Sequence, residues 1–355
     1  MCDTNLTQLT NSVTQEQKII IPAKQLLLTV ETLYYFLLVN LWGPAQAVCV
    51  LGITTNILNI IVFSKQGVRD TVNISLLGLA TSDLGSLITL LYINISFMPD
   101  FIALDLPFVN SDVMYISCWC HIIFTRVSTW ITAYITLERC LCVTAPLRVK
   151  NLFTPKRTVL ILVVVYVLMT ASICPMFYAA RPARIFDPSN NRTLFGIYFI
   201  EDRSKIEAIT FMTNNTIPTL AFFTVAICTA ILVSTLRKKS KWRLQATMST
   251  AKTVVADRDN KVVKMVVLIS IIFIVCYFPG AAVFVYMLLD ADLRIDGIQK
   301  NLITAIFAIL FHLESINSTV NIFIYLSMSS KFRAFLMNMM CFKCSKRSVC
   351  YKLYK

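Results

Sequence analysis

The chain alternates between long apolar segments and short polar connections. Seven apolar windows stand out, and each is close to the roughly 20 residues that a helix needs to cross the hydrocarbon core of a bilayer. Lipid cannot satisfy the open backbone edge of a sheet, so the windows predict helices. They lie at about residues 41–64, 74–98, 113–138, 158–179, 208–236, 262–289 and 302–327. The predicted fold is an all-α membrane protein, a seven-helix transmembrane bundle.

Composition and charge favour the same class of protein. The 355 residues are 57% hydrophobic and 15% charged, whereas a soluble domain has about 45–50% apolar and about 25% charged residues. The formal net charge of +14 could indicate nucleic-acid binding. However, with the amino terminus outside, most Lys and Arg fall in the cytoplasmic connections, as the positive-inside rule requires. We therefore expect contact with membrane lipid and no nucleic-acid partner.

The windows divide the chain into three parts. Residues 1–40 form an extracellular amino-terminal segment, residues 41–328 the bundle, and residues 329–355 a cytoplasmic amphipathic helix and tail. Residues 26–39 are also apolar, so they either lie on the outer surface as a helix or extend the first span. Residues 1–25 lack the charged start and apolar core of a signal peptide, so the first span is expected to act as the insertion signal.

Charged side chains inside the predicted spans are candidates for function. Asp83 lies where a carboxylate is costly, and this position predicts an internal cation or proton site. Arg126 lies thirteen residues before Arg139, about 20 Å along a helix at roughly 1.5 Å per residue, so it lies in the outer half of the membrane. A charge there must face the bundle interior or a wet cavity. A guanidinium there favours an anionic or carboxylate-bearing ligand. Alternatively, Glu314 neutralises Arg126.

The carboxy-terminal part of the chain predicts a membrane-surface helix. Residues 330–336 place apolar residues at helical spacing between basic ones, which is typical of an amphipathic helix on the inner leaflet. Cys341 and Cys344 follow as lipidation candidates, with unmodified thiols as the alternative. At the other side of the membrane, Asn5 and Asn191 stand in glycosylation sequons.

Several motifs resemble those of rhodopsin-like G-protein-coupled receptors. The third window ends in Glu138-Arg139-Cys140, which resembles the cytoplasmic end of the third transmembrane helix in that family. The other motifs follow in the family's order: Gly52-x-x-x-Asn56, Leu79-Ala80-x-x-Asp83, Pro218, Cys276-Tyr277-Phe278-Pro279 and Asn321-x-x-x-Tyr325. Each is weak alone, but together they cover nearly the whole chain and indicate a receptor of this type.

The resemblance implies a heterotrimeric G protein as partner and a role for each matched residue. The activation switch would comprise Glu138, Arg139, Pro218, Phe273, Tyr277, Pro279, Asn321 and Tyr325. Glu138 would hold Arg139 in the inactive state, and Tyr325 would swing inward in the active state. An internal sodium ion would be held by Asp83, Ser128, Asn317 and Asn321, whose oxygen ligands suit a hard cation. The expected ligand pocket contains His121, Arg126, Tyr277 and Glu314.

Two positions exclude familiar ligands. The family's retinal lysine corresponds to Ser315, so no Schiff base can form and no retinal or other organic cofactor is expected. The amine-binding Asp corresponds to His121, which disfavours a biogenic amine.

A transporter is the alternative class, because it too would use buried charges, but no two halves of the chain repeat each other. We predict no enzyme activity, because no nucleophile–base motif, phosphate loop or complete metal motif is visible.

Two stretches of the chain show a closer resemblance within this family. Residues 65–80 and 137–150 resemble gastropod chemosensory-type receptors, which are often grouped with FMRFamide-type peptide receptors. The resemblance implies a plasma-membrane receptor for an external chemical; the alternative is a neuropeptide receptor of the same fold.

The chain also departs from the family pattern. Tyr277 replaces a Trp, Ile322 a Pro and Ala226 a Tyr, and the fourth span lacks the usual Trp. The second outer loop contains no Cys, so the family's disulfide to the third helix cannot form there.

Overall fold

The computed structural model describes residues 27–145, 149, 152–188, 191–245, 253–293 and 297–344. The bundle is formed by α1 (Val30–Gln66), α2 (Thr71–Ser96), α3 (Asn110–Thr144), α4 (Pro155–Ala179), α5 (Arg203–Gln245), α6 (Thr253–Leu289) and α7 (Lys300–Met328), and α8 (Ser330–Cys344) follows. Short helices at Pro99–Ile102 and Ala291–Leu293 lie in connections. The predicted seven-helix bundle is confirmed. The sequon of Asn5 lies outside the described residues.

The central helix of the bundle is α3. Over the described parts of the chain, six helices are long and apolar enough to cross a membrane, namely α1, α2, α4, α5, α6 and α7. The more polar α3 packs against α2, α4, α5 and α6. Its buried side chains include His121, Ser128 and Glu138. Polar groups of this kind are tolerated because they face protein rather than lipid.

The first helix is longer than the predicted span. It begins at Val30, passes through a π-helical turn at Leu41–Ala45 and continues over Gln46–Gln66. Pro44 lies in that turn. Since proline has no backbone N–H to donate, a wider local turn accommodates it without ending the helix. Of the two interpretations of this apolar segment, the structure agrees with an extension of the first helix, which begins at Val30.

Close packing joins α1 to α2 and α7. Gly52 leaves so little space that an added Cβ would lie 2.8 Å from Leu87 and 2.3 Å from the hydroxyl of Thr319. One turn later, Asn56 donates a hydrogen bond of 2.9 Å to the carbonyl of Ser318. Gly52 and Asn56, four residues apart, therefore lie on one face of α1 and provide one small and one polar contact.

A β-hairpin follows α4, and the sequence analysis missed it. Strand β1 (Ala180–Asp187) pairs antiparallel with β2 (Arg192–Phe199). Residues 187–191 read Asp-Pro-Ser-Asn-Asn, all typical of turns, so a hairpin signal was present. Asn191 is exposed and has a φ of +47°, which Asn tolerates better than most residues. Its glycosylation stays a prediction.

The hairpin is attached to the start of α3. Backbone hydrogen bonds of 2.8 and 3.0 Å join Phe195 to the loop residues 107–109. The carboxylate of Asp112 then accepts a hydrogen bond of 2.8 Å from the amide of Ile197. These contacts fix the hairpin over the end of the bundle that lies opposite Glu138 and Arg139.

The last helix packs back onto the bundle. Phe332 and Leu336 are buried on its inner face, and the ring of Phe332 lies 5.3 Å from that of Phe63 on α1. Lys331 and Arg333 are exposed on the other side. The predicted amphipathic helix is confirmed, and it extends to Cys344. Lipidation of Cys341 and Cys344 stays a prediction.

Candidate functional site

A cavity of ≈ 120 Å³ lies between α3, α5, α6 and α7, on the hairpin side of Tyr277. Its lining is mainly apolar, and its aromatic side chains include Trp119, Phe222, Phe284 and Phe311. Of the predicted pocket residues, Arg126, Tyr277 and Glu314 line this cavity, whereas His121 does not. An apolar cleft with a few polar groups is the usual form of a ligand site.

The guanidinium of Arg126 points towards α5. Its Nη2 lies 3.4 Å from the amide oxygen of Asn215, a long hydrogen bond, and its buried Nε has no hydrogen-bond partner in the described structure. No carboxylate of the described residues forms an ion pair with Arg126. The hypothesis that Glu314 neutralises Arg126 is therefore wrong for this arrangement.

Glu314 instead pairs with His121. The distance between His121 Nε2 and the Glu314 carboxylate is 3.2 Å, and His121 Nδ1 lies 3.0 Å from the carbonyl of Ser86 on α2. His121 is 1% exposed, so it supports Glu314 from behind the cavity wall. The ring of Phe311 closes the remaining side. This pairing was not predicted, because the two residues are 193 positions apart in the sequence.

Two buried hydrogen bonds connect α3 with α6 below the cavity. Tyr277 donates to the carbonyl of Thr125 over 3.2 Å, and the hydroxyls of Thr136 and Ser270 are 2.8 Å apart. Phe273 lies between these two levels, 1% exposed, and stacks on Tyr277 with ring centroids 4.4 Å apart. The predicted switch residues Phe273 and Tyr277 are thus brought together at the α3–α6 interface.

Two prolines of the predicted switch lie in the helices around the cavity. Pro218 is inside α5 and lines the cavity, and Pro279 is inside α6. Each interrupts the helical hydrogen-bond ladder, so each is a site where a helix can bend.

Asp83 is fully buried and accepts three hydrogen bonds. Ser128 donates over 2.7 Å, Ser318 over 3.1 Å and Asn321 over 2.9 Å. Ser318 was not predicted, and the predicted Asn317 is buried but donates no hydrogen bond to this carboxylate in the described structure. The structure therefore brings Asp83, Ser128 and Asn321 together and adds Ser318, while the role of Asn317 as a sodium ligand stays a prediction.

The donor set around Asp83 fits a hard cation. The carboxylate supplies the charge, the hydroxyls of Ser128 and Ser318 supply neutral oxygens, and the Asn321 side chain carries an amide oxygen. Hard cations prefer such oxygen ligands. The sodium ion itself stays a prediction.

The acid–arginine pair lies at the far end of α3. Glu138 is buried, and its carboxylate accepts a hydrogen bond of 2.7 Å from Arg139 and one of 2.5 Å from the hydroxyl of Thr71. Thr71 was missed in the sequence analysis, since nothing local to it indicates a contact with α3. Asp70 caps α2 through the amide of Val72 and so fixes the first turn that carries Thr71. Arg139 is thus held by its neighbour.

Tyr325 packs away from the bundle centre. It is 1% exposed, with ring contacts of 5.1 Å to Phe63 on α1 and 5.5 Å to Phe332 on α8. Its hydroxyl has no hydrogen-bond partner among the described residues. A buried hydroxyl without a partner is costly, so this position leaves a polar group available for a different arrangement. Ile322, in place of the family's Pro, is a buried helical residue of α7.

The fold and these sites define a membrane receptor. The model of the seven-transmembrane receptors of the rhodopsin family matches residues 55–325. The chain belongs to this family and is a multi-pass membrane protein. The family consists of receptors, which are not enzymes, that couple to G proteins and bind ligands including peptides.

The similar proteins are named as receptors, and one of them as a peptide receptor. The chain is 26% identical to a QRFP-like peptide receptor of Branchiostoma floridae over 294 residues, which cover 79% of this chain and 72% of that protein. It is 25% identical to growth hormone secretagogue receptor type 1 of Mus musculus over 327 residues, covering 86% and 82%. It is 26% identical to the Mustela putorius furo receptor of that name over 346 residues, covering 91% and 87%. The gastropod resemblance stays a prediction.

Proposed function

We propose that this protein is a plasma-membrane receptor, amino terminus outside, that passes binding of an external peptide to a heterotrimeric G protein. The membership of the rhodopsin family supports coupling. The similarity to a protein named as a peptide receptor supports the ligand class. A chemosensory receptor for small odorants, the first prediction from the sequence, is the second candidate, and it rests on the short stretches at residues 65–80 and 137–150.

One observation carries the proposal: a single helix connects the cavity with the acid–arginine pair. Arg126 lines the cavity from α3, and Glu138 and Arg139 lie on the same helix further along. Tyr277 ties α6 to α3 next to Arg126, at the carbonyl of Thr125. Ser270 ties the two helices again between Arg126 and Glu138, at the hydroxyl of Thr136. Occupation of the cavity can therefore act on α6 directly at the level where the two helices are joined.

The physical mechanism is a shift between two helix arrangements. A ligand changes the equilibrium only by the difference between its affinities for the two states. In the proposed active state, α5 and α6 pivot near Pro218 and Pro279, and Arg139 leaves Glu138 for the G protein. Tyr325 then leaves Phe63 and Phe332 and turns inward, where its hydroxyl finds a partner.

Arg126 selects the charge of the ligand in this proposal. A guanidinium with a free Nε, in an aromatic cavity and without a carboxylate partner in the described structure, binds a carboxylate strongly because two parallel hydrogen bonds form away from water. Sodium at Asp83, glycans at Asn5 and Asn191 and lipid at Cys341 and Cys344 belong to the same proposal.

The test of coupling is Arg139→Ala. The full-length receptor is expressed with a promiscuous G protein and exposed to panels of peptides and of acidic and neutral odorants. We expect peptide-driven nucleotide exchange in the wild type and none above background in Arg139→Ala. Lys156→Ala, at an exposed basic position at the start of α4, is the matched control and should signal normally. Normal ligand-driven output from Arg139→Ala would refute the mechanism, and responses to odorants alone would favour the chemosensory candidate.

A further inference from the structure

The cavity has two charged walls that are not paired with each other. On one side Arg126 extends from α3 towards Asn215 of α5. On the other side Glu314 of α7 faces the cavity and is held by His121. The lining also contains aromatic side chains, Trp119 among them. A ligand in this space therefore meets a cation from α3 and a carboxyl group from α7.

The contacts of His121 give Glu314 a partner of its own. His121 Nδ1 lies 3.0 Å from the carbonyl of Ser86, and its Nε2 lies 3.2 Å from Oε2 of Glu314. Arg126 has no carboxylate partner among the described residues. Arg126 is therefore the cation of the cavity lining that is left for a ligand.

Glu314 has a second carboxyl oxygen that can accept a hydrogen bond from a ligand. Only its Oε2 contacts His121, and its side chain is 17% exposed in a residue that lines the cavity. A carboxyl group has lone pairs on both oxygens, so the second oxygen can accept a hydrogen bond from a ligand N–H. The site thus presents one anion-binding group and one acceptor for a neutral donor.

The two groups lie at different depths. His121, which marks the level of Glu314, is five residues before Arg126 on α3, about 7.5 Å along the axis at roughly 1.5 Å per residue. An extended chain covers about 3.3–3.6 Å per residue. Two residues of a peptide therefore bridge the two levels, with the anionic end nearer to the Glu138–Arg139 end of the bundle.

We infer that the cavity binds the free carboxy terminus of a linear peptide ending in an apolar residue. This inference rests on the proposed function and makes it more specific. The terminal carboxylate contacts Arg126, the last side chain lies among the aromatic residues, and a backbone N–H near the end donates to Glu314. A peptide with an amidated carboxy terminus offers Arg126 no anion. A peptide with an acidic last side chain brings a second negative charge, for which the cavity lining has no second cation.

The test uses purified full-length receptor and N-acetylated tripeptides ending in Leu, Phe, Lys or Asp. Each is prepared as free acid and as amide, and the Leu and Phe acids also with the last or the preceding amide N-methylated. Binding is measured as thermal stabilisation of the receptor across a concentration series. We expect the acids ending in Leu or Phe to bind at least tenfold more tightly than their amides, and N-methylation of one amide to weaken binding.

Variants assign each preference to its residue. Arg126→Gln should abolish the difference between acid and amide, and Glu314→Leu should abolish the penalty of N-methylation. Lys300→Gln removes a charge from the exposed start of α7 and should change neither. Double variants of Arg126 and Glu314 should bind acid, amide and methylated peptides alike.

Three outcomes would overturn the inference: equal binding of acids and amides by the wild type, an acid preference that persists in Arg126→Gln, or no stabilisation by any tripeptide. The proposed function is judged by a different measurement, the Arg139-dependent nucleotide exchange. If that exchange persists while acids show no advantage, the receptor assignment stands and the carboxy-terminal binding mode fails. If Arg139→Ala signals normally, the coupling mechanism fails regardless of the peptide result.

Discussion

The hydroxyl of Tyr277 on α6 donates a hydrogen bond to the backbone carbonyl of Thr125 on α3, over 3.2 Å. Tyr277 stands where the family usually has Trp, and its ring stacks on Phe273 directly below the ligand cavity. In the proposed mechanism, this bond crosses the interface that separates when α6 pivots at Pro279. The replacement of the family residue therefore gives the present helix arrangement a specific polar contact beside the cavity.

Removing that hydroxyl should raise ligand-free signalling. Tyr277→Phe keeps the ring and its stacking but loses the hydrogen bond, which contributes about 1 kcal/mol, or about a fivefold change in the equilibrium between states at about 1.4 kcal/mol per tenfold. We expect basal nucleotide exchange to rise by about that factor. Tyr286→Phe, at a half-exposed tyrosine of the same helix, should have no effect. Unchanged or lower basal exchange in Tyr277→Phe would show that the contact does not restrain α6.

The site around Asp83 predicts a sodium effect that depends on Ser318. If sodium binds at Asp83, the ligand-free receptor should unfold at a higher temperature in sodium chloride than in choline chloride. Asp83→Asn should remove this difference, because the neutral amide lacks the charge that attracts the ion. Ser318→Ala should reduce it, because one oxygen ligand is lost.

Asn317→Ala is the matched control for the sodium experiment. It alters the neighbouring position on α7, which was predicted to be a ligand but makes no hydrogen bond to Asp83 in the structure, and should leave the salt difference intact. The opposite order, with Asn317→Ala the more damaging variant, would show that Asn317 is the sodium ligand predicted from the sequence. A wild type insensitive to the choice of salt would exclude sodium at this site.

Asn317 was predicted beside Asp83, whereas Ser318 forms the hydrogen bond to it, and this contrast shows which features of the site can be predicted from the sequence. Apolar windows and buried charges indicate helices and depth, because both depend only on local composition. Neighbouring residues on a helix point about 100° apart at 3.6 residues per turn, so the choice between them depends on how α7 is rotated. That rotation is set by packing against α1 and α2, including the contact of Thr319 with Gly52.

The pairing of His121 with Glu314 illustrates the same limit at longer range. Both residues were expected in the ligand pocket. Their mutual contact depends on the positions of α3 and α7 around the bundle axis, which no local pattern encodes. The hairpin is a different case, because its turn residues at 187–191 were visible and only the strands beside them were not recognised.

The attachment of the hairpin predicts a dependence on Asp112 and none on reducing agent. Cys118 and Cys120 of α3 form no disulfide within the described residues, and Asp112 instead holds the amide of Ile197. Asp112→Ala should weaken peptide binding by freeing the hairpin, whereas Asp112→Asn retains an acceptor oxygen and should bind nearly as the wild type does.

The measurement for Asp112 is peptide-driven exchange with and without dithiothreitol. We expect no change on reduction in the wild type. Loss of activity on reduction would reveal a disulfide outside the described residues, and equal defects in the Ala and Asn variants would show that the carboxylate charge, not the hydrogen bond, is what matters.

The close approach of α1 to α7 predicts that Gly52 tolerates no side chain. A Cβ at this position would lie 2.3 Å from Thr319 Oγ1, and that hydroxyl is itself held by the carbonyl of Ser315 at 2.7 Å. Gly52→Ala should therefore destabilise the receptor by about 1–3 kcal/mol, the usual cost of overpacking. Thermal unfolding of the purified receptor in detergent provides the measurement.

Two further variants separate this clash from the general effect of placing Ala in a helix. Gly43→Ala, where an added Cβ meets nothing within 4 Å, should leave the unfolding temperature unchanged or slightly higher, because Ala favours helix more than Gly. Gly52→Ala combined with Thr319→Ala should recover part of the loss, since the nearest atom is removed while Leu87 remains. If Gly52→Ala unfolds at the same temperature as Gly43→Ala, then α1 and α7 are not as close as the hydrogen bond from Asn56 to Ser318 requires, and the position of Ser318 beside Asp83 loses its support.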